Sequence, residues 1–285
     1  MTTAPTSTKP QPPPPGQRPG GGGPRRYIYC IIDCDTPKSF DSPGIGDDTP
    51  EVFAIPCQGV AAVVSPVASD EFDISRANLL THQRLLETVM RAGHTVLPVR
   101  FNTIAKDRGG KSAERIIIDR VLAARKDEFA NLLTFMNRHV EMGVKGLWPD
   151  INAVFQRIVE DDREIALLRG RLLSGPGPGA SRPGDVAARM RLGERVKTAL
   201  EARKEGARKQ LISRLSGTVA DMRENSVFGD AMFANLALLV EESRLADLEG
   251  VLSAFEADQA GGARLRYVGP MPPSSFIELV IDWEE

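Results

Sequence analysis

Val96-Leu97-Pro98-Val99-Arg100-Phe101-Asn102-Thr103 alternates like a β-strand, yet it carries a proline and an arginine inside its apolar run. Alternation places Val96, Pro98 and Arg100 on one side and Leu97, Val99 and Phe101 on the other. Pro98 has no N–H to give to a ladder, so the strand reads as a sheet edge or begins there. Phe101 then anchors a core. Arg100 either pairs internally with an acidic neighbour or faces a partner, and the internal pairing is favoured because a half-buried guanidinium without one is costly.

Upstream of this stretch, Asp73 or Ser75 can cap a helix that runs to about Ala92, with Gly93 as its stop. Its expected buried stripe is Leu79, Leu80, Leu86, Val89 and Met90. His82 lies near that stripe, and a packing role suits it better than catalysis because no Cys, Ser or acidic partner stands beside it in sequence. Further upstream, Tyr27 to Ile32 is apolar on both alternating faces, as a strand inside a sheet is. Asp33 to Pro50 reads as loop, Glu51 to Cys57 as a short strand, and Gly59 to Val67 as a β-branched strand. Residues 1–26 are rich in Pro, Gly, Thr and Gln and read as a disordered tail, because they cannot bury enough apolar surface to offset their ordering entropy. Arg25 and Arg26 read as its solvated end.

Downstream, Asn102-Thr103 opens a loop through Gly109-Gly110. Gly110-Lys111-Ser112 follows a strand and precedes a helix, as the end of a phosphate-cradling loop does. The first glycine of that pattern falls on Ala105, and Lys106-Asp107-Arg108 crowds the interior with charge. Nucleotide binding through this loop is the alternative function. The plainer reading makes Ser112 a helix N-cap. A single helix is expected over about Ala113 to His139, with Ile116, Ile117, Val121, Phe129, Leu132, Leu133 and Met136 inside and His139 complementing its dipole. Val140 to Lys145 alternates as a half-exposed strand.

The order β, β, α, β, α, β over residues 27–148 fits a ferredoxin-like sandwich with helices on one side of a mostly antiparallel sheet. The C-terminal half, 149–285, reads as a second α+β domain with long helices. These are expected at Ile151 to Leu173 and Asp185 to about Glu224, separated by the Gly/Pro-rich break at 175–184. A strand at Met232 to Val240, a helix at Glu241 to Asp258 and a strand at Arg264 to Val268 follow. The closing strand is expected over Ser275 to Trp283, with one wet and one dry face. Val140 to Trp148 also fits this second sheet.

Composition narrows the function. A net charge of -2 and 6% aromatic residues argue against a nucleic-acid binder by bulk charge or base stacking. The basic stretch from Arg182 to Arg214 has interleaved acids, so it reads as a solvated helix face, with docking to an acidic protein held open. Cys30, Cys34 and Cys57 are too few and too clustered for a disulfide framework, and Cys30 with Cys34 lacks the second pair that a metal site needs. No run of about 18 apolar residues marks a membrane span, and the N-terminus lacks a secretory pattern. No nucleophile–base pair is visible. The expectation is a cytoplasmic protein with no catalytic residue, no metal and no cofactor.

Tyr27-Ile28-Tyr29, Ala61 to Ser65, His82, Val96 to Phe101 with Thr103, Val140-Glu141, Gly143 to Lys145, Tyr267 to Pro270, Pro272-Pro273 and Phe276 occur in an order that resembles the gas vesicle protein F/L family, GvpF/GvpL. The resemblance runs from about Tyr27 to the C-terminus. It departs from the family at three positions, where Asn102 stands for glycine, Met271 for tryptophan and Ser275 for tyrosine. Asn is the best substitute for glycine where a left-handed backbone is needed. The resemblance implies a non-enzymatic accessory protein of the gas vesicle that binds the hydrophobic major shell protein, limits its aggregation and helps nucleate assembly with other accessory proteins. It implies no nucleic-acid or membrane partner. The protein-binding residues expected on this basis are Pro98, Arg100, Phe101, Gly269, Pro270, Pro272 and Pro273.

Overall fold

The computed structural model describes residues 25–46, 50–174, 184–259 and 262–283. The Pro/Gly tail up to residue 24 and the break at 175–183 lie outside them. Two antiparallel sheets carry the fold, which is α+β. The first contains β1 (Arg25–Asp33), β2 (Lys38–Phe40), β3 (Val52–Cys57), β4 (Val60–Val67) and β5 (Val96–Pro98), in the order β2-β3-β4-β1-β5, with the two-residue β6 (Ile104–Ala105) also on β1. The loop expected at 33–50 therefore contains a short strand. Arg25 and Arg26, expected in the tail, open β1 and are paired with Asp70 at 2.5 Å and Glu114 at 2.8 Å.

β1 is central, as its two apolar faces require. A bulge between Ile28 and Cys30 shifts its register against β4 and puts Tyr29 and Cys30 on the same side. Tyr27, Tyr29, Cys30 and Ile32 pack with α1 (Arg76–Arg91). Ile28 and Ile31 pack on the opposite face with α2 (Ala113–Ile116), a π-helical turn at Ile117–Leu122 and α3 (Lys126–Met136). Helices therefore cover both faces of this sheet rather than one, and the single helix expected over 113–139 is three segments.

The second sheet has the order β10-β7-β9-β8, from β7 (His139–Leu147), β8 (Asp221–Glu224), β9 (Met232–Glu241) and β10 (Arg264–Met271). Among the described residues β7 pairs only with β9 and β10. One face of this sheet packs on α4 (Ile151–Asp161), α5 (Arg163–Leu173), α6 (Asp185–Leu215) and α7 (Leu245–Asp258). The helix expected over 151–173 is broken at Asp162, whose Oδ1 accepts from the Glu164 and Ile165 amides and so caps α5. The next helix stops at Leu215 rather than near Glu224, and β8 follows it.

The expected closing strand at Ser275–Trp283 does not form. Residues 274–276 turn, and the rest runs extended over the first core, with Leu279 and Ile281 buried and Glu278, Val280 and Asp282 exposed. Alternation correctly reported a wet and a dry side, but only Leu279 makes a bridge, parallel to Val99. The C-terminal segment thus closes the outer edge of β5. Leu279 N–H donates to the Pro98 carbonyl at 2.8 Å, and Arg100 N–H donates to the Leu279 carbonyl at 3.0 Å. Pro98 faces that outer edge, where its missing N–H costs no ladder bond to β1.

Candidate protein-binding groove

The turn after β5 is held by a polar knot. Asn102 takes φ +66, the left-handed backbone. Its side chain accepts from the Phe72 amide at 2.9 Å and donates to the Phe72 carbonyl at 2.7 Å. Its own N–H donates to the Tyr27 hydroxyl oxygen at 3.1 Å. The same hydroxyl is hydrogen-bonded to His82 Nδ1, 3.0 Å away. Burial pushes the His82 pKa down to about 4 and raises that of Tyr27. Phe101 does not continue the strand alternation. It turns back onto the α1 side, edge-on to Tyr27 and His82 at 6.1 and 5.9 Å between ring centres.

The second stretch is shaped by close approach. Gly269 has φ +141, and a side chain there would meet Met142 Sδ at 2.5 Å and the Glu141 carbonyl at 2.8 Å. The Gly269–Pro270 peptide is cis. Met271 re-enters register opposite Glu141, and Pro272 and Pro273 are buried. The turn that follows is held by Glu141, only 5% exposed. Its carboxylate accepts from the Ser275 amide at 2.7 Å and the Ser275 hydroxyl at 2.6 Å.

These two knots bring together stretches about 170 residues apart in the chain. Between them and α1 lies a groove of about 370 Å³. Leu79, Leu86, Pro98, Phe101, Met271 and Pro272 supply its apolar wall, with His82, Glu141 and Glu278 as polar groups. Leu79 and its neighbour Leu80 were expected in the core. They are 43% and 36% exposed, while His82, Leu85, Leu86 and Val89 form the buried stripe.

Of the expected contact residues, Pro98, Phe101 and Pro272 line the groove. Gly269 and Pro270 stay exposed on β10, outside it. Pro273 lines a separate cavity of about 220 Å³ with His94 and His139. Arg100 is exposed and has no ion-pair partner among the described residues, so the expected internal pairing is absent. Sequence reasoning missed Leu79, Met271, Glu141 and Ser275. A helix with more leucines than one buried stripe can hold was the available signal for Leu79.

The alternative site at Gly110-Lys111-Ser112 is not a phosphate cradle. Gly109 and Gly110, at φ +60 and +75, make a tight turn in which the Arg108 and Lys111 amides bond to each other's carbonyls. Lys111 Nζ is held by Asp119 at 2.8 Å, and Ser112 caps α2 through the Arg115 amide. Among the described residues no group of His, Cys, Asp and Glu is placed to hold a metal, and no helix is long and apolar enough to cross a membrane.

The family model for gas vesicle synthesis protein GvpL/GvpF matches residues 25–278. The chain belongs to the GvpL/GvpF family. Gas vesicle protein F of Streptomyces sp. (strain CB03234) is 30% identical over 88% of this chain and 99% of its own length. Gas vesicle protein L1 of Halobacterium salinarum is 26% identical over 88% and 89%. The crystal structure of GvpF from Anabaena sp. PCC7120 has the same fold, with a TM-score of 0.70 at 21% identity, covering 89% of this chain and 98% of that one. The described part of this GvpL/GvpF chain thus includes both stretches that build the groove.

Proposed function

We propose that this protein is an accessory factor of gas vesicle formation that acts as a holder rather than an enzyme. It takes up an apolar segment of the major shell protein, limits that protein's aggregation, and delivers it to the nascent vesicle with other accessory proteins. A shell subunit must expose apolar surface before it assembles, and such surface aggregates unless covered. The observation that carries the reading is the groove, where the two family stretches converge beside two solvent-facing leucines. The outer edge of β5 is occupied by Leu279, so the apolar face of α1, not an open strand edge, receives the segment. An amphipathic segment laid into an apolar groove is a common mode of recognition.

In this reading the chain divides into two domains near residue 148; α1 and the end of β5 in the first form the groove together with Met271 and Pro272 from the second, and the rest of the second meets other vesicle proteins. The test is co-purification with the shell protein, comparing the wild type with Leu79→Glu. The wild type forms a complex, and the variant, folded by circular dichroism, binds at least tenfold more weakly, the equivalent of about 1.4 kcal/mol. Equal binding by both overturns the groove reading. No complex at all, with both proteins in solution, overturns the function.

A further inference from the structure

We propose that the outward face of the second sheet docks an acidic segment of a protein partner. This surface is separate from the groove and does not rest on it.

Along the register of the second sheet, Arg266 of β10 stands directly opposite Lys145 of β7. Arg264 is two residues before it on the same face, and Arg223 of β8 lies on that face two strands across from β7, in the row of Ala237 and Gly143. All four side chains are exposed. Lys145, Arg264 and Arg266 have no carboxylate within ion-pair distance among the described residues. Arg223 lies over the Phe276 ring at 5.5 Å.

The surroundings make this unusual. On α6, where the sequence suggested a docking stripe, the cations are largely spoken for. Arg195 pairs with Asp162 and Glu164, Arg203 with Asp161, Arg208 with Glu205 and Glu224, and Arg214 with Asp258. On the sheet face Asp221 and Glu141 stand two rows along from Lys145, and among the described residues neither pairs with Lys145, Arg264 or Arg266. Like charges directly opposite on an antiparallel pair destabilise it, and a partner's carboxylates would relieve that repulsion.

The same face carries Val268, 68% exposed, beside the positive cluster. A segment with acidic residues and an apolar residue complements it. The charge is positive and local, the Phe276 ring beside it is covered by Arg223, and exposed Val268 gives an apolar contact that a phosphate backbone does not use. A protein segment is therefore the occupant rather than nucleic acid.

The experiment uses the full-length protein and a fluorescent sixteen-residue peptide of alternating Glu and Thr, followed by anisotropy at 50 and 300 mM NaCl. The wild type binds, and its affinity falls with salt. Arg266→Glu weakens binding at least tenfold and raises the melting temperature, because it converts the repulsive pair with Lys145 into an attractive one. That opposite movement separates a lost contact from a lost fold. Reversal of Arg189 and Arg191, two exposed arginines of α6, leaves binding within twofold.

Four results would overturn the proposal. These are no peptide binding at low salt, equal loss in the α6 control, tighter binding of a sixteen-nucleotide single-stranded DNA through the same residues, or a self-associated species abolished by Arg266→Glu. The last would give the face to a second copy of this chain.

Discussion

Replacing Gly269 by alanine tests how the Pro-rich loop is placed. At φ +141 an L side chain is strained whatever the space around it, at a cost of about 1–3 kcal/mol. The new Cβ would also lie 2.8 Å from the Glu141 carbonyl and 2.5 Å from Met142 Sδ. The backbone carbonyl belongs to β7 and cannot retreat without shifting a strand held between β9 and β10. Overpacking of this kind adds about 1–3 kcal/mol. The expected loss is therefore about 3 kcal/mol or more.

Gly143→Ala is the matched control on the neighbouring strand. Its Cβ would crowd the Met271 terminal methyl, at 3.2 Å, which a side-chain rotation relieves, and meet the Val268 carbonyl at an ordinary 3.8 Å, so a change below about 1 kcal/mol is expected. Urea unfolding followed by circular dichroism and by the fluorescence of Trp148 and Trp283 measures both, with coincident transitions required before free energies are compared. Equal midpoints for the two variants would refute the claim that Gly269 is fixed by backbone geometry and close approach.

Two further outcomes follow from the polar knots. His82 has a folded pKa of about 4, below the ordinary 6.5, so between those values the unfolded chain holds a proton that the folded chain lacks. Stability should fall by up to about 3 kcal/mol as pH drops through that window and level off below it. His82→Gln should flatten this slope in urea titrations at successive pH values, and an unchanged slope would refute the assignment. Ser275→Ala should cost about 1–3 kcal/mol by removing one of two donors to the buried Glu141 carboxylate. A loss of urea stability below about 0.5 kcal/mol would mean that water replaces the hydroxyl without penalty.

Much of the framework was legible in the sequence because it follows from local rules. β1, β4 and β9 are apolar runs that suit buried strands, Ser75 and Ser112 cap the helices expected to start there, and Asn102 takes the left-handed backbone its substitution for glycine implied. What escaped depends on long-range packing. Asp162 interrupts a stretch whose apolar period continues unbroken on both sides, so the break lies in capping rather than in periodicity. β8, Asp-Met-Arg-Glu, is a polar four-residue edge strand and carries almost no apolar signal.

The C-terminal alternation was read as a strand because period two reports sidedness but not the presence of a ladder partner. The groove was only half legible. Its two stretches stood out as unusual segments, and Pro98, Phe101 and Pro272 do line it. The exposure of Leu79 is set by how far α1 tilts over β1 and by where the chain returns at Met271, neither of which is local. The favoured internal pairing of Arg100 failed because Val99 before it is buried and Phe101 after it half-buried, while its own side chain turns to solvent at the strand end.

Site-specific photo-crosslinking to the shell protein tests the central claim most directly. A photoreactive residue is placed at 79, or at 83, where Gln83 also lines the groove, or at exposed Leu167 on α5, in the full-length protein mixed with the shell protein. Crosslinks are expected from 79 and 83 to one apolar segment of the shell protein, with none above background from 167. Crosslinking from 167 alone, or equally from all three positions, would contradict that claim.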